Sequence, residues 1–547
     1  MEIQIYDTTL RDGMQREGIS FSVGDKLKIA QKLDEIGIHF IEGGWPSSNP
    51  KDSQFFTKAQ DLTLSHAVLC SFGSTRRPNT KAEDDPNLHA LVDSGTGVAT
   101  LVGKSSDVQV TRALRISLEE NLDMIGDSIR YLRLNGLRVF YDAEHFFDGC
   151  KAYAKYSLAT LQRAEEAGAE CIILCDTNGG SLPHEIAQAM VTARKAVSIP
   201  LGIHAHNDSE VAVANTLVAV QSGAVHVQGT INGYGERCGN ANLCSVITAL
   251  QLKMGIHCLS PQQLAKLTEV SHFVSEIANL SHDPYQPYTG TSAFTHKGGI
   301  HVSAVAKQED TYQHIAPELV GNCTKVTVSE LSGVSNIIYK AKECGIQIPT
   351  EGKQARQILN QIKFLESMGF QYEGADASFE LLVRRTNPNY HPPFELVDFM
   401  VVVEKRRRFP TIGFSQNKSN FTNSDGSFPV SSGLQEILSE ATIKVKVGED
   451  IIHTAAEGNG PVNALDNALR KALVQFYPKI SVIKLTDYKV RILEGNTGTE
   501  SLVRVLIESS AVQCQWRTVG SSTDIIQASW LALADSLEYW LIKDCNH

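Results

Sequence analysis

The chain has 547 residues, 42% of them hydrophobic and 20% charged, with a formal net charge of −11. That length exceeds a single core and predicts two or three domains, and an acidic balance without a long Lys/Arg stripe excludes a nucleic-acid footprint. No apolar run approaches a bilayer span and no basic-then-apolar leader is present, so no membrane contact and a soluble, cytoplasmic protein are expected; eleven cysteines without CxxC or metal-finger spacing read as reduced thiols.

From residue 3 to about 254, β-branched runs alternate with amphipathic stretches. The expected strands are "IQIY", "HFIEGG", "HAVLCSF", "GVATLVG", "LRVFYD", "CIILCDT", "LGIHAH" and "VHVQGTI", each followed by a helical pattern such as "DKLKIAQKLDEIG". Apolar strands separated by helices mean a parallel sheet buried on both faces, and eight such units predict a closed (β/α)8 TIM barrel over residues 1–255. An open doubly wound sheet is the alternative, but no Gly-rich dinucleotide fingerprint follows the first strand.

Residues 256–371 form a helical, loop-rich subdomain, interrupted by "LSHDPYQPYTGTSAFTHKGGIHVSAV", which does not read as helix. Residues 372–547 read as an α+β domain suited to regulation or dimerisation. In it "ATIKVKVG" and "IIHTAAEG" precede one helix, and "YKVRILEG", "LVRVLIESS" and "VQCQWRTVG" precede another, a tandem with internal pseudo-symmetry. A Ser/Asn/Gly-rich insertion at 405–433 is expected to be mobile, its "KRRR" a solvated hairpin end.

The carboxyl ends of barrel strands carry function. Here they carry Asp7, Arg11, Asp12 and Gln15 after the first strand, Glu42 after the second, Asp142 and Glu144 after the fifth, and Asp176, Thr177 and Asn178 after the sixth. In "HAHND", His204 and His206 are two apart on a strand and converge on one face. Barrel closure brings Asp12 and Asn240 onto the same arc, and two imidazoles, a carboxylate and an amide oxygen can hold a divalent ion with open positions for substrate. Ligand type suits Mn²⁺, Mg²⁺, Fe²⁺ or Zn²⁺ about equally. Arg11 beside such a site would steady a substrate carboxylate or oxyanion, unless a salt bridge to a neighbour such as Glu144 occupies it. Asp7 fits either a buried structural carboxylate or a supporting role behind the ligands.

"YDTTLRDGMQ", "HAHND" and "GYGERCGN" resemble the signatures of the metal-dependent acyl-CoA-condensing barrels: the isopropylmalate, homocitrate and citramalate synthases, with the hydroxymethylglutaryl-CoA lyases as cousins. The resemblance extends through "FTHKGGIH" to "GNGPVNALDNALRKAL". Within that family, "IEGGWPSSNPKD", "VFYDAEHFFDGCKA" and "LCDTNGG" look most like the longer citramalate synthases, which implies joining acetyl-CoA to pyruvate, with water, to give (R)-citramalate and CoA for isoleucine synthesis. By motif, the resemblance implies Asp12, His204, His206 and Asn240 as metal ligands and Arg11 as the oxyanion-stabilising group. It implies Arg11, Gln15, Glu144 and Thr177 at the keto acid, with Glu144 also a candidate catalytic carboxylate, and His301 and Tyr312 as catalytic groups from beyond the barrel. It further implies a homodimer and an isoleucine effector at the terminal domain.

An isopropylmalate or homocitrate synthase differs only in a larger keto-acid pocket, which Trp45, just beyond the second strand, could fill. A lyase is disfavoured by the large terminal domain. A non-catalytic amino-acid sensor is disfavoured by the intact Arg11, Asp12, His204, His206 and His301 set.

Overall fold

The computed structural model describes residues 3–348, 353–404, 438–493, 500–511 and 514–544. The chain divides into two compact units, Met1–Thr295 with Gln313–Lys325, and His296–Tyr312 with Val326–His547.

The first unit contains a closed, all-parallel barrel of β1 (Gln4–Asp7), β2 (Phe40–Gly44), β3 (Val68–Ser74), β4 (Val98–Lys104), β5 (Arg138–Glu144), β6 (Cys171–Asp176), β7 (Leu201–Ala205) and β8 (His226–Gly229). It closes where β1 lies against β8 with Gln4 opposite His226 and Asp7 opposite Gly229. The intervening helices start where a side chain can take an otherwise orphaned amide: Ser22 accepts from the Asp25 N–H, Asn49 from Asp52 and Ser117 from Glu120. Odd and even strand positions part company as the pleat demands. Ile5, Ile41, Val139, Ile172 and Ile203 pack in the main core with residues from the helices, while Tyr6, Phe40, Cys70, Val98, Phe140, Cys171 and Ile173 form a separate cluster filling the barrel.

Above that filling the interior turns polar, and its groups are bonded to one another. The Tyr6 hydroxyl donates to Glu42 Oε2 at 2.8 Å and lies 2.6 Å from Thr100 Oγ1. Most polar groups buried in a core have such partners, because an unpaired one loses its water without compensation.

In the second unit, helices Val334–Glu343, Lys353–Ser367 and Asp376–Arg385 share one core. Two three-stranded antiparallel sheets follow. One is Glu395–Glu404, Leu438–Val447 and Asp450–Gly458 with helix Pro461–Leu473; the other is Lys484–Ile492, Val503–Ala511 and Cys514–Ser522 with helix Ile525–Asp544. The sequence pattern predicts two strands in the first repeat; the third, Glu395–Glu404, pairs with Leu438–Val447 across residues 405–437, a separation that hides the partnership in the sequence. The expected mobile insertion at 405–433 lies outside the described residues. A second departure is Gly299–Val305, a short helix inside the segment read as non-helical, formed because Val302 and Val305 recur at helical spacing and both are buried. No helix among the described residues is long and apolar enough to cross a membrane.

His226 is fully buried, its ring 5.1 Å from those of Tyr6 and Phe140, and neither ring nitrogen has a hydrogen-bond partner. Burial, reinforced by His39, lowers its pKa from 6.5 to about 3. The unfolded chain therefore binds a proton below pH 6.5 that the folded chain refuses, and stability falls as pH drops from 6.5 towards 3. His226→Leu should remove up to about 1.4 kcal/mol per pH unit of this acid slope in urea-unfolding series. An unchanged slope would show that the ring is not held neutral.

Candidate active site

The carboxyl ends of the barrel strands enclose a cavity of about 440 Å³, lined among others by Arg11, Asp12, Gln15, Trp45, Glu144, Thr177, His204 and His206. Asp12, His204 and His206 converge: each can offer one ligand atom, and these atoms lie within 4.8 Å of one another. The two imidazole Nε2 atoms are 3.3 Å apart, and Asp12 Oδ2 lies 3.7 Å from the first and 4.0 Å from the second.

The protonation states suit a cation. Burial, then the neighbouring imidazole, lowers the pKa of His204 to about 3, so its ring is neutral. Its Nδ1 lies 2.9 Å from Gln228 Oε1, whose amide nitrogen in turn donates to Asp142 Oδ1 at 3.0 Å. That bond puts the proton on Nδ1 and leaves the Nε2 lone pair facing Asp12. Burial opposes ionisation of Asp12, yet Arg11 and the two histidines outweigh it and hold the carboxyl at about 2. Asn240 donates from Nδ2 to Asp12 Oδ1 at 2.8 Å and to the Tyr234 carbonyl at 3.1 Å, while its Oδ1 is buried without a partner. Two neutral imidazoles, a carboxylate and an orphaned amide oxygen fit a divalent ion.

The "GYGERCGN" loop is shaped for this. Gly235 has φ +152°, and a Cβ there would meet Asn240 Nδ2 at 2.1 Å and Asp12 Oδ1 at 3.0 Å, so only glycine lets the loop pass. Arg237 clamps it, donating to both Asp208 oxygens at 2.7 and 2.9 Å and to the Thr177 carbonyl at 2.7 Å.

Arg11 is held by Glu42 and Asp12, with Nε to Glu42 Oε1 at 2.5 Å and Nη1 to Asp12 Oδ2 at 3.1 Å, and its guanidinium lies 3.9 Å over the Phe72 ring. The salt bridge weighed against its role does exist, but with Glu42 and not Glu144, and it leaves Nη2 without a partner. Glu144 is ion-paired to Lys104, its register neighbour on β4. Thr177 Oγ1 accepts from the His145 amide at 2.8 Å, so its own hydrogen can point to the cavity. Asp7, with oxygens taken up by the Thr9 amide and hydroxyl, is structural, and burial raises its carboxyl to about 7. The cavity lining comes from the barrel unit. His301 and Tyr312 belong to the second unit, where their rings stack 4.3 Å apart.

Sequence reasoning gave no role to Glu42, Gln228 or Phe72. Each is an inward-parity residue at or near a strand end, and Gln228 carried a signal as a polar side chain within the apolar "VHVQG".

Three family models match in order along the chain: HMGL-like over residues 2–274, homocitrate synthase post-HMGL domain-like over 288–369, and LeuA allosteric (dimerisation) domain over 426–541. An (R)-citramalate synthase of Geobacter sulfurreducens is 54% identical, covering 99% of this chain and 98% of its own. One from Aquifex aeolicus is 49% identical over the same shares. At greater distance, a 2-isopropylmalate synthase of Methanocaldococcus jannaschii is 30% identical, covering 99% of this chain and 95% of its own.

Removing a ligand is expected to weaken the ion and not just the reaction. Asp12→Ala or His204→Ala should lower Mn²⁺ affinity by roughly 10-fold or more in calorimetric titration, with the circular dichroism of the barrel retained. Unaltered affinity in both variants would rule out this cluster as the metal site.

Proposed function

The chain belongs to the (R)-citramalate synthase family, and on that premise we propose that its barrel mouth condenses acetyl-CoA with pyruvate and water to give (R)-citramalate and CoA. The observation that carries this is likeness over the whole length: citramalate synthases 44–54% identical span nearly all of this chain, whereas the isopropylmalate synthase stands at 30%.

A divalent ion, Mn²⁺ or Mg²⁺ with Zn²⁺ as alternative, would be held by Asp12, His204, His206 and Asn240, and when bound it supplies a Lewis acid for the ketone of the 2-oxo acid. The chain's own groups do the rest. The Thr177 hydroxyl and Gln15 orient the keto acid, and the unpartnered Nη2 of Arg11 meets the negative charge that develops on the former ketone oxygen. Because Glu42 and Asp12 already hold the guanidinium, that donor needs no rearrangement when the charge appears. Glu144, ion-paired to Lys104 at the cavity wall, is suited to take a methyl proton from the acetyl thioester. His301 and Tyr312 are assigned to the acetyl-CoA side, and water finally cleaves the thioester.

Specificity for pyruvate rests on how little room is left beside the ketone. Trp45 lines the cavity, its ring set edge-on to Phe72 at 5.5 Å and its Nε1 donating to Asn87 Oδ1 at 2.7 Å. An indole fixed in this way fills space that a branched 2-oxo acid would need. The LeuA-type domain supports a homodimer under allosteric control, for which we propose isoleucine as effector and the cytoplasm as compartment.

Following free thiol with acetyl-CoA, Mn²⁺ or Mg²⁺ and a panel of 2-oxo acids tests the reading. The highest kcat/KM should fall on pyruvate, and isoleucine should inhibit more than leucine or valine does. A higher kcat/KM for 2-oxoisovalerate or 2-oxoglutarate would move the chain to the isopropylmalate or homocitrate synthase group. Indifference to all three amino acids would leave the terminal domain a dimerisation module.

A further inference from the structure

Three carboxyls sit in or just below the cavity floor: Asp12, Glu42 and Asp142. One guanidinium serves them, and Arg11 spends its fork on Asp12 and Glu42. Asp142, on β5 and 3% exposed, has only a neutral partner: its Oδ1 accepts from Gln228 Nε2 at 3.0 Å. With its oxygen accepting from His204 Nδ1, the Gln228 amide turns its nitrogen to Asp142. Asp142 Oδ2 makes no hydrogen bond in the protein, and the residue lines the same cavity as Arg11 and His204.

We propose that Asp142 presents a neutral carboxylic acid O–H from Oδ2 to an oxygen of the bound 2-oxo acid, a donor on the cavity floor opposite the charged donor of Arg11. This rests on the 2-oxo-acid reading of the site. The groups facing Asp142 are Tyr6 from β1, Arg11 and Asp12 from the loop after it, Glu42 from β2, Cys171 and Cys175 from β6 and, through Gln228, His204 from β7. Burial, then repulsion by Glu42, holds its carboxyl well above the usual range, and Arg11, the one opposing cation, is already shared between Glu42 and Asp12. A carboxyl kept protonated in this way donates a hydrogen bond without adding a charge to a site that must already neutralise two.

The donor role has a distinctive signature, since asparagine can copy a protonated carboxyl: its Oδ1 would keep the Gln228 bond and its Nδ2 would donate to the cavity. With the best 2-oxo acid as substrate, Asp142→Leu should lose roughly 10- to 100-fold in kcat/KM, as expected for deleting one donor to developing charge. Asp142→Asn should be at least about 10-fold more active than the leucine variant. Infrared difference spectra of the Mg²⁺-loaded, substrate-free protein, wild type minus Asp142→Asn, should show a protonated-carboxyl C=O band at neutral pH. A carboxylate band there, or an asparagine variant as inactive as the leucine one with normal metal affinity, would make Asp142 an ionised base and overturn the proposal. A leucine variant as active as wild type would remove it from the substrate altogether. The infrared result does not depend on which 2-oxo acid is turned over, so it stands if the pyruvate reading fails.

Discussion

One guanidinium organises the barrel mouth. Arg11 is buried deeply enough that it needs carboxylate partners, and Glu42 and Asp12 provide them from β2 and from its own neighbour in sequence. The same two bonds fix which of its N–H groups remains for substrate. They also hold Asp12 ionised at the point where a cation requires a carboxylate, against the burial that would otherwise protonate it. Removing one partner of such a buried pair costs about 3–5 kcal/mol, mostly by stranding the other charge. Asp12 and Glu42 are therefore coupled through Arg11 even though their side chains serve different ends.

From that centre the arrangement extends outward by hydrogen bonds that each leave one choice. Glu42 takes the Tyr6 hydroxyl, Asp12 takes the Asn240 amide nitrogen, and the Asn240 oxygen is thereby left unpaired. On the other side Asp142 and Gln228 orient His204. The loop glycines are part of the same arrangement, because a Cβ at Gly235 would occupy the space of the Asn240 amide. A site in which rotamers and tautomers are settled before substrate arrives loses little free energy to reorganisation during the reaction.

Much of this architecture was legible in the chain. Strands buried on both faces are continuous apolar runs, and all eight expected runs overlap the barrel strands, because nothing competes with the β/α alternation there. His204 and His206 were legible because their relation is local, two residues on one strand. Relations between strands were not. Glu144 was weighed as the partner of Arg11, but Lys104 lies opposite it in register on the adjacent strand and takes it, while Glu42 takes Arg11. Gln228 and Phe72 gain their meaning only from what faces them across the barrel. In the second unit, Glu395–Glu404 was missed as a member of the first repeat because its partner strand lies on the far side of residues 405–437.

On the proposed chemistry this site joins a two-carbon acyl unit to the ketone carbon of pyruvate with one stereochemical outcome. Carbon-13 NMR of a reaction containing [2-13C]pyruvate, acetyl-CoA and Mg²⁺, followed by chiral chromatography of the product, tests it most directly. The ketone carbon should become a hydroxyl-bearing quaternary carbon, in (R)-citramalate, in step with CoA release. An unconverted ketone signal in protein that binds the metal, or the (S) product, would contradict it.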